Sequence, residues 1–323
     1  MRIVNFIKNW SLPISMLSGV AAYFIYVNIH ALDWTHTFMN RIVSGYIQPT
    51  LIFCMLFVSF CKVSPKQLKP RKWMLWSLLI QIGSFTALGM IIAANPSTQY
   101  KAIIESAMLC LICPTACAAS VVTSRLQGNS SAVVSYTCLI NLAASLVVPA
   151  IVPLLHDTHN DLTFIIAFLT ILHKIFPTLI FPLLLAFTLE FAAPKVHAKI
   201  KSFKNLSFNL WIVSLAIAIA VTVRAIVHTE ESVLTLLAIA LTSLVCCLIQ
   251  FVIGHAIGVH YNDKIAGTQT LGQKNTVFAI WTGATFLNPV TATAGGFYSI
   301  WHNIVNSYQL YKKRKEARQS QNY

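Results

Sequence analysis

Charge is scarce in this chain. Only 10% of its 323 residues are charged while 56% are hydrophobic, and the mean hydropathy is +0.69. That balance lies far outside soluble globular domains and implies a polytopic membrane protein. Acids are scarcest of all, 9 Asp and Glu against 23 Lys and Arg, for a net charge of +14. Such a charge invites a nucleic-acid reading, but the basic residues sit in short loops and in the tail YKKRKEAR, where a positive-inside anchor is the simpler account. No cleaved secretory signal is expected, because the first apolar run has membrane-spanning length and no small-residue cleavage site follows it. A disulfide framework is missing too: the eight cysteines all lie within or at the edges of apolar runs, where cysteine behaves as a small hydrophobe. Cys110, Cys113 and Cys117 have the spacing to share a helix face, yet no histidine or carboxylate completes a metal set. Nor do His173, His255, His260 and His302 make a recognisable nucleophile-base or metal pattern, so neither an enzyme nor a cofactor is expected.

What the sequence has in abundance is apolar length. A span needs about 20 apolar residues, and ten stretches supply them: 12–30, 38–61, 72–94, 102–124, 130–155, 163–191, 206–227, 232–254, 262–286 and 289–311. With the N-terminus inside, the inner segments carry Arg2, Lys8, Lys62, Lys66, Lys69, Arg71, Lys72, Arg125, Lys195, Lys199, Lys201, Lys204, Lys264 and the basic tail. Asp33, Asp157, Asp161, Glu230 and Glu231 collect outside, so both termini are expected to be cytoplasmic. Trp10, Trp73, Trp76 and Trp211 suit an aromatic belt, and Glu105 and Glu190, near span ends, suit the interface.

A short internal repeat divides the chain into five spans and five. SLLIQIGSFTALG in the third span and CCLIQFVIGHAIG in the eighth share LIQ and a small-residue ending, with Gln81 to Gly89 matching Gln250 to Gly258. Copies five spans apart enter the membrane in opposite directions, the inverted repeat common among transporters. Two spans in corresponding places are interrupted. The fourth holds Cys113-Pro114-Thr115, where proline removes a backbone donor, and the ninth holds the polar run Gly272-Gln273-Lys274-Asn275-Thr276. Polar groups in mid-span are tolerated only where a broken backbone lines a protein cavity, which marks this pair as the site.

These residues resemble a known family. CPTACAASVVTSRLQGN (Cys113 to Asn129), followed by a span ending VVPAIVPLL, is similar to the fourth-to-fifth-span region of the bile acid:sodium symporter family. LGQKNTVFA with FYSIWHNIVNS resembles that family's second crossing helix and the span after it, and KPRKWMLWSLLIQ and HKIFPTLIFPLLL resemble its third and sixth spans. The resemblance implies an all-α membrane fold of ten transmembrane helices in two inverted repeats, residues 1–158 and 159–323, with broken helices four and nine crossing at mid-membrane. A core of spans 3–5 and 8–10 would move against a panel of spans 1, 2, 6 and 7. It also implies uptake of organic anions, such as bile salts or small carboxylates, driven by two sodium ions behind the crossing.

The cation ligands are where the chain departs from the family. The Ser-Asn pair of the fourth span is Ala119-Ser120, and a serine of the fifth falls on Val133, though Thr137 remains. In the ninth span Glu-x-Gly-x-Gln-Asn becomes Thr270-Leu271-Gly272-Gln273-Lys274-Asn275. Gln81 is kept. Sodium needs several oxygen ligands and no Asp or Glu lies in either interruption, while two unit charges about 4 Å apart repel by about 4 kcal/mol at an effective dielectric of 20. Sodium is therefore not expected, and Lys274 would stand in for it. Lys274 can be read as a fixed charge supporting anion binding, as a group that gains and loses a proton during transport, or as a structural lysine reaching towards the interface. Lys174 beside His173 is read as a panel residue near the substrate path or as purely structural.

The expected protein is a secondary transporter of a small or amphipathic organic anion, monomeric in a bacterial inner (plasma) membrane. Its partners would be the anion and the bilayer, with no nucleic acid. Thr115, Cys117, Ser120, Asn275, His302 and Asn303 would line the substrate cleft; Lys274, Thr270, Gln273, Gln81, Thr137 and Ser120 would occupy the former cation region. For His302 a packing role competes. The alternatives are a sodium- or proton-coupled symporter with altered ion sites and a non-transporting sensor on a transporter fold.

Overall fold

The computed structural model describes residues 11–155, 161–203 and 206–320. Arg2, Lys8, Trp10, Asp157 and Lys204 lie outside them. The described chain is helical throughout: α1 (Ser11–Val27), α2 (His36–Ile42), α3 (Gln48–Phe60), α4 (Lys72–Ala94), α5 (Lys101–Ile112), α6 (Cys117–Arg125), α7 (Ser130–Ile151), α8 (Asp161–Ala192), α9 (Pro194–Ser202), α10 (Leu206–Val227), α11 (Val233–His260), α12 (Lys264–Gly272), α13 (Thr276–Phe286) and α14 (Ala292–Ser320). Among the described residues six stretches are long and apolar enough to cross a membrane: His30–Phe60, Lys72–Ala94, Ser130–Leu155, Thr163–Ala192, Asn209–Val227 and Val233–His260. Other expected spans miss that length or that apolarity for visible reasons. Two of the ten expected spans are each split into halves of 9 to 12 residues, α5 with α6 and α12 with α13. The last helix carries a polar stripe that includes Ser299, His302 and Asn306.

Large apolar side chains on the outer helix faces stay exposed, among them Leu17, Leu79, Leu184, Leu237 and Val252. A soluble monomer does not leave so much apolar surface uncovered; a bilayer covers it. Among the described residues the interior holds three apolar clusters. The largest joins Ile52, Leu56 and Phe60 of α3 to Phe85, Met108, Ile175, Phe278 and Ile280. A second is built on Trp73, Val133, Tyr136 and Leu271, and a third on Cys110, Cys246, Phe251 and Tyr298.

The tightest pairing is α11 with α12, where glycine lets backbone meet backbone. A Cβ on Gly254 would collide with the Gly267 carbonyl, and one on Gly267 would sit 2.8 Å from the Gly258 Cα. Elsewhere α10 packs on α1 and α3, α3 on α8, and α8 on α7, while α14 lies against α11 and α13. Two helix ends close in the same way. After α6, Gln127 takes φ 66 and the Gly128 N–H reaches the Thr123 carbonyl at 2.8 Å; after α11, Asn262 takes φ 55 and the Asp263 N–H reaches the Gly258 carbonyl at 2.8 Å. Left-handed residues at these positions satisfy the last helical carbonyls.

Two expected interfacial residues prove to be buried. Trp73 is covered and donates its Nε1–H to Asp263 Oδ2 at 3.1 Å, beside an Arg71–Asp263 ion pair of 2.9 Å. Glu105 is 1% exposed, and its Oε2 accepts the Asn288 N–H at 3.3 Å, so it anchors the turn after α13. Trp76 is exposed and donates to the Tyr261 hydroxyl at 2.8 Å.

Candidate functional site

Both interruptions are real departures from helix, and they meet each other. Proline at 114 cannot donate to the preceding turn, and the chain runs extended from Cys113 to Ala116 before α6 begins; α12 stops at Gly272 and α13 resumes at Thr276. Each broken backbone supplies what the other lacks. The Ala116 N–H donates to the Gln273 carbonyl at 2.9 Å and the Asn275 N–H to the Pro114 carbonyl at 2.8 Å, an antiparallel pairing of Thr115 with Lys274. Buried backbone groups must be paired, and here two helix breaks pair with one another.

Side chains complete the set. Thr115 Oγ1–H donates to the Thr270 carbonyl at 2.7 Å, and the Cys113 thiol donates to the Asn275 carbonyl at 2.8 Å. Asn275 caps α13 through Oδ1, which accepts the Phe278 N–H at 3.3 Å; no side chain caps α6. The carbonyls at the end of α5 are served from α4 and α11. Gln81 Nε2–H donates to Leu111 at 2.8 Å and to Cys113 at 3.3 Å, and Gln250 Nε2–H donates to Cys110 at 3.0 Å. Two tyrosines stand behind the glutamines: the Tyr136 hydroxyl donates to Gln81 Oε1 at 2.5 Å, and the Tyr298 hydroxyl donates to the Gly272 carbonyl at 2.9 Å while meeting Gln250 Nε2 at 3.1 Å.

Lys274 lies inside this arrangement and is 1% exposed. Its Nζ–H donates to the Leu111 carbonyl at 3.4 Å, and among the described residues no carboxylate lies within ion-pair distance of it. A cation at the carbonyl end of a helix interacts favourably with the helix dipole, and α5 presents that end to the ammonium.

The structure gathers Gln81, Thr115, Thr270, Gln273, Lys274 and Asn275 at the meeting of the two breaks. It does not bring every expected residue there with a free polar atom. Ser120 Oγ turns back to the Cys117 carbonyl at 3.1 Å, Thr137 Oγ1 to Val133 at 2.8 Å and Asn303 Nδ2 to Ser299 at 2.7 Å, each on its own helix. Cys117 is half-buried and packs against the main apolar cluster. Other atoms are left waiting: Gln273 Oε1, Asn275 Nδ2 and both ring nitrogens of His302 are buried with no hydrogen-bond partner among the described residues. His302 stacks edge-on against Tyr298, ring centres 5.7 Å apart. Buried polar atoms without partners are uncommon and point to a bound molecule or water.

The chain matches no protein-family model and no curated protein. What the site does is therefore argued from its own chemistry. Tyr136 and Tyr298 have no role in the sequence pattern, and Gln250 enters it only as the repeat partner of Gln81. Their signal is present, because a tyrosine in an apolar span must find a partner for its hydroxyl, but nothing in the one-dimensional pattern says that the partner is a broken helix.

Proposed function

We propose that this protein is a secondary transporter of an organic anion, built as ten spans in two inverted five-helix repeats and working by alternating access around the crossing of α5–α6 with α12–α13. The observation that carries the reading is the reciprocal backbone pairing of the two breaks, with a buried, carboxylate-free ammonium beside it. Broken helices of corresponding position are where transporters of this kind hold their substrates. The uncapped start of α6 offers N–H groups and partial positive charge to a carboxylate or sulfonate, and Gln273 and Asn275, whose backbones pair with the chain entering α6, offer unpartnered polar atoms. The resemblance to the bile acid:sodium symporter family supports the same architecture, with helices α4 to α7 and α11 to α14 as the moving core.

Coupling to sodium is not part of the proposal. The place of a cation ligand is taken by Lys274, whose ammonium already engages the Leu111 carbonyl. In this reading it acts as a fixed charge that holds the crossing together and draws the anion; exchange of a proton at the same group is the second reading. The membrane is the bacterial inner membrane with both termini cytoplasmic.

Thermal stability of the purified chain across organic anions, in sodium, in potassium and from pH 5.5 to 8.5, tests this, since a ligand of the folded state raises the melting temperature by mass action. Anions that stabilise equally in sodium and potassium are expected. Stabilisation by sodium alone, strengthening anion binding, would return the sodium-symport mechanism. Counterflow of a labelled anion in proteoliposomes then separates a carrier from a binder, which shows saturable binding without exchange.

A further inference from the structure

Five lysines with no part at the two breaks sit on two short connections between apolar helices. Lys66 and Lys69 follow α3, while Lys195, Lys199 and Lys201 lie on α9, and all five are exposed. Among the described residues none of the five comes within ion-pair distance of a carboxylate. The two connections are held side by side. Ser64 Oγ–H donates to Glu190 Oε1 near the end of α8 at 2.8 Å, and Lys62 Nζ–H donates to Ser207 Oγ at the start of α10 at 3.2 Å. Val63 and Leu68 of the first connection and Ile200 of α9 pack on the same apolar cluster.

The sequence of α9 suits a membrane surface. The chain breaks out of α8 at Ala193 (φ −141, ψ 65), and Pro194 opens a new helix at the position where a missing N–H costs nothing. His197 is buried and Ile200, one turn on, packs inward, so this side of the helix faces protein. Helical spacing places Lys195 and Lys199 on the opposite side, while Val196 on a flank and Phe203 just past the helix end stay exposed. Connectivity sets the depth of these groups. The stretch Thr163–Ala192 ends just before α9, and Lys66 and Lys69 come soon after His30–Phe60 ends. The five ammonium groups therefore stand at headgroup level, with Val196 and Phe203 beside them at the edge of the acyl layer, the division of labour of an interfacial amphipathic helix.

We propose that these two connections together bind an anionic phospholipid, its phosphate drawn by Lys66, Lys69, Lys195, Lys199 and Lys201 and its acyl chains against Val196 and Phe203. Charge selects the lipid: the acid at this place, Glu190, already accepts from Ser64, and the lysines are left to an outside anion. A nucleic acid or a free phosphate would gain from the lysines and nothing from Val196 and Phe203. A lipid that bridges both connections ties together the ends of α3, α8 and α10 that they join. The site rests on the membrane character of the chain alone and stands whether or not the chain transports.

Native mass spectrometry of the full chain, released from an uncharged detergent with equal amounts of phosphatidylglycerol and phosphatidylcholine, tests it. Retention of phosphatidylglycerol over phosphatidylcholine is expected. A lysine near an anionic surface is worth about fivefold in affinity, so the triple variant Lys195→Gln, Lys199→Gln, Lys201→Gln should reduce that preference about tenfold or more. Arginine at the same three positions should keep it, and Val196→Ser with Phe203→Ser should weaken retention of either lipid. Lys312→Gln, Lys313→Gln, Lys315→Gln removes as much charge from the tail and should leave the preference as it is. Equal losses in the tail and α9 variants would overturn the site, because net charge would then hold the lipid. So would an undiminished preference in the α9 variant. Displacement of the lipid by glycerol phosphate or by a short oligonucleotide would also overturn it, assigning the lysines to free phosphate or to nucleic acid.

Discussion

Lys274 poses the central physical question at the residue scale. An ammonium removed from water and left unpaired costs several kcal/mol, so its retention beside the Leu111 carbonyl implies that something depends on it. If it stands where a cation would otherwise sit, restoring ligands should restore the ion. The double variant Thr270→Glu with Lys274→Gln is expected to gain a sodium-dependent rise in melting temperature that the unaltered chain lacks; at sodium 100-fold above its dissociation constant the gain is about 2.7 kcal/mol. No difference between sodium and potassium in that variant would mean that Lys274 is not in the place of a cation. Tyr298 bears on the same geometry from behind. Its hydroxyl serves both the Gly272 carbonyl and Gln250, so Tyr298→Phe should cost about 1–3 kcal/mol by leaving buried polar groups short of a partner. Denaturation monitored by tryptophan fluorescence would show it, and a loss below about 0.5 kcal/mol would mean that water takes over the hydroxyl's role.

At the scale of elements, the helix ends and glycine contacts make separate claims. Gln127 is exposed and held at φ 66, a conformation that glycine adopts without penalty, so Gln127→Gly should stabilise the chain by about 0.5–1 kcal/mol. A fall in melting temperature would show that the side chain makes a contact worth more than the strain. Gly254→Ala should act the other way: its new Cβ meets the Gly267 carbonyl, and forcing α11 off α12 should cost about 1–3 kcal/mol or more. Unaltered stability would mean that the two helices slide apart freely. The interruptions themselves are legible in the sequence because Pro114 and the run Gln273-Lys274-Asn275 are foreign to an apolar helix. The hydrogen bonds of Gln250, Tyr136 and Tyr298, the π turn at Val43–Ile47 and the burial of Glu105 are not legible. Each depends on which distant element comes to lie beside it, and period and composition carry no such information.

For the whole molecule, the distribution of charge sets a testable topology. Single cysteines introduced at Lys66 and Lys199 in a background without the eight native cysteines should react with an impermeant maleimide only from the cytoplasmic side. A cysteine at Glu231 should react only from the opposite side, and labelling of all three from one side would overturn the even-numbered, both-termini-inside arrangement. Membrane character is written all along the chain, since apolar length is a property of sequence alone. Which helices pack together is not, because it depends on contacts such as α3 with α8 and α10 with α1.

The pairing of the two breaks also has a consequence for how the protein is made. Cys113 and Asn275 are 162 positions apart, which at about 5–20 residues per second means roughly 8–30 s of synthesis between them. Through that interval the Pro114 carbonyl and the Ala116 N–H have no partner from the second half, in a setting where water is scarce. A nascent first half is therefore an unfinished object that must be sheltered, by lipid headgroups, by the insertion machinery or by staying near the surface, until α12 and α13 arrive. Cutting the gene into its two halves and expressing them together should then yield a protein only if both halves meet before quality-control proteases reach the first.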